Sequence, residues 1–192
     1  MHTASDELSR DPVVLRRWRR VDAAVLYRAV SESLEHLAPW MAWAAHGYST
    51  ADAVAYIART EEVWGTDYDY AIVAPGPALV GSCSMMSRIG PGGFEIGYWV
   101  HPAHLGLGYA TAAAAALTSE AFRIGADRVE IVHDLANVAS GAIPRRLGFR
   151  EVDRRAPQEE RTAGEAGVDV VWRLCASRSG DGMTVPGMNG HL

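Results

Sequence analysis

Cysteine is scarce in this sequence: Cys83 and Cys175 are the only two among 192 residues. They form no CxxC pair and stand alone in apolar, strand-like surroundings, so we exclude a disulfide scaffold and expect a reducing compartment. The start MHTASDELSR lacks the apolar core of a signal peptide, and no uninterrupted apolar run approaches the roughly 20 residues of a membrane span. We therefore expect a cytoplasmic protein that does not contact a membrane.

Runs of basic residues are also absent. The formal net charge is -5 and the sequence pI is about 5.8, so we do not expect a protein that binds the phosphate backbone of nucleic acid. An acidic protein suits a cationic partner better. With 48% hydrophobic and 21% charged residues, a chain of this length is expected to form one globular domain with a substantial core.

The hydrophobic pattern changes its period along the chain. Helical spacing predicts helices over 21–38, 49–64, 109–125 and 137–147. Other apolar runs predict strands at 12–18, 67–74, 78–89, 93–101, 127–134, 148–155 and 168–175. The short turns within 67–101 predict an antiparallel meander of three strands. Residues 1–11 are expected to be flexible, and the aperiodic residues 176–192 to be disordered.

A glycine-rich turn, HPAHLGLGYATAAAAA over 101–116, separates the meander from an alanine-rich helix. The first backbone N–H groups of a helix have no helical partner and carry partial positive charge. Gly106 and Gly108 have no Cβ atom that would keep a phosphate away from these groups. The turn therefore predicts an anion site, although two glycines are also compatible with a purely structural corner.

Two common phosphate sites fit this turn poorly. A P-loop is excluded because no Gly-Lys-Ser/Thr follows the glycines. A dinucleotide site fits better, since GLGYAT partly matches G-x-G-x-x-G and Glu130 lies about twenty residues further on. However, residues 101–105 separate the glycines from their strand, and the turn follows a meander instead of alternating strands and helices.

The third anion is the pyrophosphate of coenzyme A. The segments GYWVHPAHLGLGYATAAAAAL and DLANVASGAIPRRLGF together resemble the GNAT superfamily of acyl-CoA-dependent N-acyltransferases. The early SESLEHLAPWMAW is similar to the ribosomal-protein N-terminal acetyltransferase group. The resemblance covers residues 12–175, which it identifies as a single GNAT domain. It implies a mixed α/β (α+β) fold with about seven strands in a mostly antiparallel sheet, splayed between the fourth and fifth strands (93–101 and 127–134), and helices on both faces.

The resemblance also implies acyl-CoA as co-substrate and assigns the residues that hold it. The pyrophosphate turn corresponds to Leu105, Gly106, Leu107, Gly108, Tyr109 and Ala110, in which Leu105 and Leu107 depart from the family's polar residues. The resemblance implies that Trp99, Val100 and His101 contact the pantetheine arm through their backbone groups. Asn137 is expected to bind the same arm, and Ser140 to approach the sulfur.

The chemistry requires a base for the amine and a donor for the leaving thiolate. Glu95 is our first candidate for the base, acting through water, and Glu130 is the second. Ser140 is the candidate donor, with Tyr109 or Tyr98 as alternatives. The resemblance further places Glu32, Glu35 and Trp40 at the acceptor site, although both acids are also compatible with a solvated helix face.

These assignments predict transfer of an acetyl or other short acyl group to a primary amine, either a protein N-terminal α-amine or a small molecule. The alternative is a non-catalytic acyl-CoA-binding module with the same fold. No metal is expected, because His101 and His104 lack a third ligand. A homodimer is compatible with the resemblance. Pro144 is expected to kink its helix, for which the sequence indicates no function.

Overall fold

The computed structural model describes residues 2–76, 78–158 and 160–176. The strands in these residues are β1 (Glu7–Arg10), β2 (Val13–Arg17), β3 (Tyr68–Ala74), β4 (Ala78–Met86), β5 (Gly93–Val100), β6 (Arg128–Asp134), β7 (Arg150–Arg155) and β8 (Asp169–Cys175). The α-helices are α1 (Ala23–Ser31), α2 (Leu34–Leu37), α3 (Thr50–Glu62), α4 (Tyr109–Arg123) and α5 (Val138–Arg146). The tail from residue 177, for which disorder was predicted, lies outside the described residues.

All eight strands form one sheet in the order β1-β2-β3-β4-β5-β6-β8-β7. Every neighbouring pair is antiparallel except β5 and β6, which are parallel. The predicted mixed, mostly antiparallel sheet is therefore confirmed, with one strand more than expected. A doubly wound parallel sheet, which a dinucleotide site would require, is excluded.

The two parallel strands separate after a short stretch of pairing. Residues Gly93–Glu95 of β5 pair with Arg128–Glu130 of β6, and the ladder ends there. β5 nevertheless continues to Val100 and β6 to Asp134. The sheet is thus open between these strands, as the resemblance implied. Beyond Glu95 and Glu130, the backbone groups that each strand directs towards the other face a gap.

Helices cover both faces of the sheet. On one face, α1 and α3 pack on the sheet through a cluster that includes Leu26, Ile57 and Ala71. On the other face lies α4, whose Ala113 and Ala114 are fully buried. Because alanine carries only a methyl group, α4 lies close to the strands beneath it. Among the helices of the described residues, none has the length and apolar character needed to cross a membrane.

Part of the N-terminal segment, for which the sequence predicted flexible residues, forms a strand. Residues 7–10 form β1, which pairs with β2 at the edge of the sheet. Just before it, the Ser5 backbone N–H donates to Glu120 on α4 (2.6 Å), and the Tyr70 hydroxyl donates to the Ser5 carbonyl (2.8 Å). The sequence did not indicate this strand because the anchoring groups lie more than 60 positions away in sequence.

The helix predicted over 21–38 is divided into α1 and α2. At the break, the buried Ser33 side chain donates a hydrogen bond of 2.6 Å to the Ala29 carbonyl. Serine competes for helical carbonyls in this way and favours bends. The interruption turns the chain, so that residues after Leu37 reach the open side of the sheet.

Candidate active site

A cleft of about 1210 Å³ lies where β5 and β6 diverge. Its walls come from both strands, from the N-terminal ends of α4 and α5, from residues 36–48 and from the connection between β7 and β8. Most of the predicted site residues line it, namely Glu95, Trp99, Val100, Leu105, Gly106, Gly108, Tyr109, Ala110, Asn137, Ser140 and Trp40. The predicted residues Glu32, Glu35, His101, Leu107 and Glu130 are not part of its lining.

The glycine turn is open to solvent at the N-terminus of α4. Gly106 and Gly108 have positive φ angles of 75° and 79°, which L-residues with side chains rarely adopt. A Cβ atom added to either glycine would have no neighbour within 4 Å, so the space above the turn is free. Gly108 is the N-cap and no side chain caps the helix there. The turn therefore offers uncapped N–H groups to an anion.

Backbone groups of β5 alternate between β4 and the gap. The His101 N–H donates to the Val80 carbonyl of the preceding strand at 2.8 Å. Since antiparallel pairs alternate, Trp99 also directs its N–H and C=O towards β4, whereas Tyr98 and Val100 direct theirs towards the gap. Of the three residues predicted to contact the pantetheine arm through their backbone, Val100 directs its groups towards the gap, as Tyr98 does, whereas Trp99 and His101 direct theirs towards β4. Their contacts with a ligand stay predictions.

Asn137 and Ser140 form the N-terminal cap of α5. The Asn137 side-chain oxygen accepts from the Ser140 N–H at 3.1 Å, which leaves the amide NH₂ of Asn137 as a donor on the cleft wall. The Tyr98 hydroxyl lies 3.2 Å from the Ser140 carbonyl oxygen and 3.3 Å from Ser140 Oγ. The structure therefore brings together two of the three hydroxyls that the sequence offered as donors.

The Tyr98 phenol is held in its neutral form. Burial raises its pKa to about 12, against a smaller opposing effect of the hydrogen bond from Ser140. At neutral pH the group is therefore a hydrogen-bond donor.

Glu95 and Glu130 have arginine partners of their own. Both carboxylates are buried, with 6% and 3% of the residue surface exposed. Glu95 contacts Arg88 and lines the cleft. Glu130 accepts two hydrogen bonds from Arg173 on β8, at 2.8 and 2.5 Å. Because Glu130 faces this neighbour and not the cleft, the structure does not support it as a base.

Asp69 is a further buried acid at the cleft, in addition to Glu95, and sequence analysis did not indicate it. Asp69 on β3 is 3% exposed, accepts from the Tyr56 hydroxyl at 3.2 Å and lies 3.5 Å from Arg59. Burial raises its pKa, although Arg59 and Tyr56 oppose the effect. The pattern Asp-Tyr-Asp-Tyr over 67–70 placed it on a strand, but which neighbours surround it depends on α3.

Of the three residues predicted to bind the acceptor, one lies in the cleft wall. Trp40 lines the cleft, whereas Glu32 is exposed and its carboxylate lies 3.2 Å from His101 Nε2. Glu35 is exposed on α2. The Pro39 carbonyl accepts hydrogen bonds from the Thr162 hydroxyl and the Gly164 N–H, so the connection between β7 and β8 is attached to this segment. Both therefore form one rim of the cleft.

Asp134 attaches the same connection to the end of β6. Its carboxylate accepts from the backbone N–H groups of Ala136, Ala166, Gly167 and Val168, at 2.8 to 3.1 Å. Burial acts to raise its pKa, but these four donors outweigh it, so the pKa lies below the ordinary value. The motif DLANVAS thus contributes a buried carboxylate that fixes the cleft wall.

Within the residues that the structure describes, no group of three or more His, Cys, Asp or Glu is arranged to hold a metal ion. The rings of His101 and His104 lie 5.7 Å apart. Cys83 is buried, and burial raises the pKa of its thiol well above the ordinary range. Such a thiol is a poor nucleophile.

Comparison with known proteins agrees with this geometry. The family model described as Acetyltransferase (GNAT) domain matches residues 13–150. No curated protein matches the sequence at a significant level.

Solved structures resemble the fold closely at low sequence identity. RimL, a ribosomal L7/L12 alpha-N-protein acetyltransferase in complex with coenzyme A, has a TM-score of 0.80 and 19% identity, over 88% of this chain and 97% of that chain. RimJ of Mycobacterium smegmatis in complex with CoA-disulfide has a TM-score of 0.77 and 24% identity, over 91% and 88%. The microcin C7 self-immunity acetyltransferase MccE, in complex with acetyl-CoA and AMP, has a TM-score of 0.78 and 21% identity, over 86% and 93%.

Proposed function

Because the chain belongs to the family of GNAT acetyltransferases, we propose that it transfers an acetyl group from acetyl-CoA to a primary amine within one ternary complex. The observation that carries the proposal is the uncapped glycine turn at α4, which opens onto the gap between β5 and β6. An anion site next to an elongated gap fits a ligand that has a pyrophosphate and a long arm. The three solved structures described above hold acetyl-CoA, coenzyme A or a CoA-disulfide, which supports the same ligand here.

The residues of this chain fit acetyl-CoA at three places. The N–H groups at the start of α4 would hold the pyrophosphate, and the gap-facing backbone groups of Tyr98 and Val100 would pair with the pantetheine amides. The Asn137 amide would donate to the same arm. Acetyl-CoA supplies the acetyl group as an activated thioester, and a backbone N–H of β5 would stabilise negative charge on the thioester oxygen.

We assign the proton transfers to two side chains. Glu95 lines the cleft and would accept the amine proton through water, with Arg88 holding the carboxylate in place. Ser140 would donate to the leaving sulfur. A covalent enzyme intermediate is unnecessary, and the buried Cys83 thiol is unsuited to forming one.

The acceptor that we propose is the N-terminal α-amine of a protein or peptide, with a small-molecule amine as the alternative. The rim formed by residues 36–48 and the connection between β7 and β8 lines the cleft, with Trp40 as part of it, and is where we place the acceptor. RimL is described as an acetyltransferase of a protein α-amine, whereas MccE is described in complex with the small molecule AMP. Similar folds are thus found with a protein acceptor and with a bound small molecule.

A non-catalytic acyl-CoA-binding module is the second candidate. Leu105 and Leu107 are 49% and 54% exposed at the turn, where the resemblance described above implies polar side chains. Apolar residues there remove charge that would favour the pyrophosphate. This candidate predicts binding of acetyl-CoA without release of coenzyme A in the presence of any amine.

Calorimetric titration with acetyl-CoA, succinyl-CoA and NAD tests the ligand first. We expect binding of at least one thioester and none of NAD. Ala110→Asp places a carboxylate at the N-terminal end of α4 and should weaken thioester binding by about tenfold, because it competes with the pyrophosphate. Val54→Asp, on the exposed face of α3, is the matched control. Binding of neither thioester, or equal binding by the Ala110 variant, would overturn the proposal.

Release of coenzyme A against a panel of amines tests turnover. The panel contains peptides with different N-terminal residues, their N-acetylated forms as controls, and small diamines and amino sugars. Release with free peptides but not with acetylated ones supports the α-amine acceptor. Release with small amines alone supports the alternative acceptor, and thioester binding without any release supports the non-catalytic module.

A further inference from the structure

Pro144 removes one hydrogen bond from α5. It lies inside this helix and is buried. Because proline has no backbone N–H, the carbonyl oxygen four residues earlier, that of Ser140, receives no donor from the helical ladder. A carbonyl left without a partner in a partly buried position is costly, so a replacement donor is expected.

The replacement donor comes from the opposite wall of the gap. The Tyr98 hydroxyl donates to the Ser140 carbonyl at 3.2 Å. Tyr98 lies on β5 beyond the last residue that pairs with β6, whereas Ser140 follows β6 in the chain. The hydrogen bond therefore crosses the open part of the sheet beside the cleft. Because residue 144 is a proline, no N–H at that position competes with the Tyr98 hydroxyl for this carbonyl.

This arrangement distinguishes the two hydroxyls that face each other. Tyr98 has one hydroxyl proton, and the Ser140 carbonyl oxygen, which can only accept, engages it. The Ser140 N–H is engaged by Asn137 at 3.1 Å. The Ser140 hydroxyl keeps a proton that no carbonyl holds, since its neighbour at 3.3 Å is the Tyr98 oxygen. Ser140 can therefore turn its proton into the cleft, whereas Tyr98 cannot do so without losing its acceptor.

We propose that Pro144 is a positioning residue that selects Ser140, and not Tyr98, as the hydroxyl that protonates the leaving sulfur. The inference rests on the proposed function and deepens it. As the carbon–sulfur bond breaks, the sulfur keeps the electron pair and takes the Ser140 hydroxyl proton. Water in the cleft then carries the proton that Glu95 took from the amine to the serine oxygen, so that Glu95 and Ser140 both regain their starting forms. Pro144 acts only by leaving the Ser140 carbonyl free to hold the Tyr98 proton.

The proposal makes a conditional prediction about Ser140→Ala. In the wild-type background this variant should lower kcat by about a hundredfold, at the lower end of what acid catalysis contributes, because Tyr98 cannot replace the lost donor. Pro144→Ala restores an N–H that can bond to the carbonyl of residue 140. In the double variant Tyr98 is therefore released, and kcat should rise severalfold above that of Ser140→Ala alone.

Two controls separate this effect from a change in packing. Adding Tyr98→Phe to the double variant should abolish the recovery, since the phenol supplies the rescuing proton. Pro75→Ala, in the turn between β3 and β4, should not rescue Ser140→Ala. A purely structural role of Pro144 predicts no recovery, or a recovery that survives Tyr98→Phe. Either result, or an undiminished kcat in Ser140→Ala, would overturn the proposal.

A spectroscopic measurement distinguishes failure of this inference from failure of the proposed function. The ¹³Cζ resonance of Tyr98, identified through Tyr98→Phe, reports on the hydrogen bond of the phenol at neutral pH. We expect the chemical shift of this resonance to change in Pro144→Ala and to remain at its wild-type value in Pro75→Ala. If the wild-type protein releases no coenzyme A with any amine, the proposed function fails whether or not the resonance moves. If it turns over but the resonance stays, only the present inference fails.

Discussion

Glu95 and Glu130 are opposite each other in the last residue pair that joins β5 to β6, yet only Glu95 reaches the cleft. The two acids have almost the same burial and each has an arginine partner. The difference lies in where these partners are. Arg173 is on β8, on the far side of β6 from the gap, whereas Arg88 follows β4 and holds Glu95 beside the cleft.

Glu95→Gln should therefore lower kcat by about a hundredfold, because amide side chains do not accept an amine proton. The KM for acetyl-CoA should change little, since Glu95 is not among the groups assigned to that ligand. Steady-state release of coenzyme A at several pH values measures both quantities.

Glu130→Gln is the matched control for this experiment. Because it removes one partner of a buried ion pair, the free energy of unfolding should fall by about 1–2 kcal/mol, while kcat stays within about threefold of wild type. Urea denaturation gives the first value and the release assay the second. A larger loss of kcat in Glu130→Gln than in Glu95→Gln would reverse the assignment of the base.

Leu107→Arg should strengthen the binding of acetyl-CoA by about fivefold at low ionic strength. The added guanidinium lies in the exposed turn that leads into α4, next to N–H groups that already favour an anion. The gain should shrink as salt is added, because exposed charges are screened. Calorimetric titration at two salt concentrations measures it. Val54→Arg, which adds the same charge on α3, should leave the affinity unchanged.

Most of the architecture follows from the sequence because hydrophobic period and turn residues are local. The meander, the glycine turn and α4 were predicted within a few residues of their observed ends. The strand β1 was missed for the opposite reason. Three of its four residues are polar, it lies at the edge of the sheet, and its anchors on Glu120 and Tyr70 depend on tertiary contacts.

The site was predicted less completely than the fold. The order DLANVAS indicated Asn137 and Ser140, and the structure places both in one helix cap at the cleft, while their roles towards the ligand stay predictions. The sequence could not rank Glu95 above Glu130 by their arginine partners, since these come from other strands. Nor could it detect Asp69, whose environment is made by α3, or the role of Pro144, whose effect becomes visible only when Tyr98 is placed next to Ser140.

Asp69→Asn should stabilise the protein at neutral pH relative to acidic pH. Burial raises the pKa of Asp69 in the folded state. The contribution of Asp69 to stability is therefore fully present below its pKa in the unfolded state and is lost as the pH rises through its pKa in the folded state. Asparagine carries no charge and retains an acceptor for Tyr56. The unfolding free energy of the variant minus that of wild type should therefore increase between pH 4 and pH 7 in urea denaturation.

The same variant tests whether Asp69 contributes to the site. If the carboxylate attracts the ammonium form of the acceptor, Asp69→Asn should raise the KM for the amine severalfold and leave the KM for acetyl-CoA unchanged. Tyr56→Phe removes one donor to Asp69 but keeps its charge, and should have the smaller effect on the amine. An unchanged KM for the amine would limit Asp69 to a structural role.

Asp134→Asn should destabilise the protein at neutral pH and much less in acid. Asparagine has one acceptor oxygen in place of two, so part of the four backbone hydrogen bonds is lost, at a cost of about 2 kcal/mol. The pKa of Asp134 in the folded state lies below the ordinary 3.8. The contribution of its carboxylate to stability is therefore fully present above pH 3.8 and is lost as the pH falls through the folded-state pKa. Urea denaturation at pH 7, 5 and 3 should show the difference in unfolding free energy between variant and wild type shrinking with acidity.

Asp153→Asn on β7, an exposed acid, is the control and should show no such trend. A pH-independent difference would mean that packing around Asp134, and not its charge, holds the cleft wall in place.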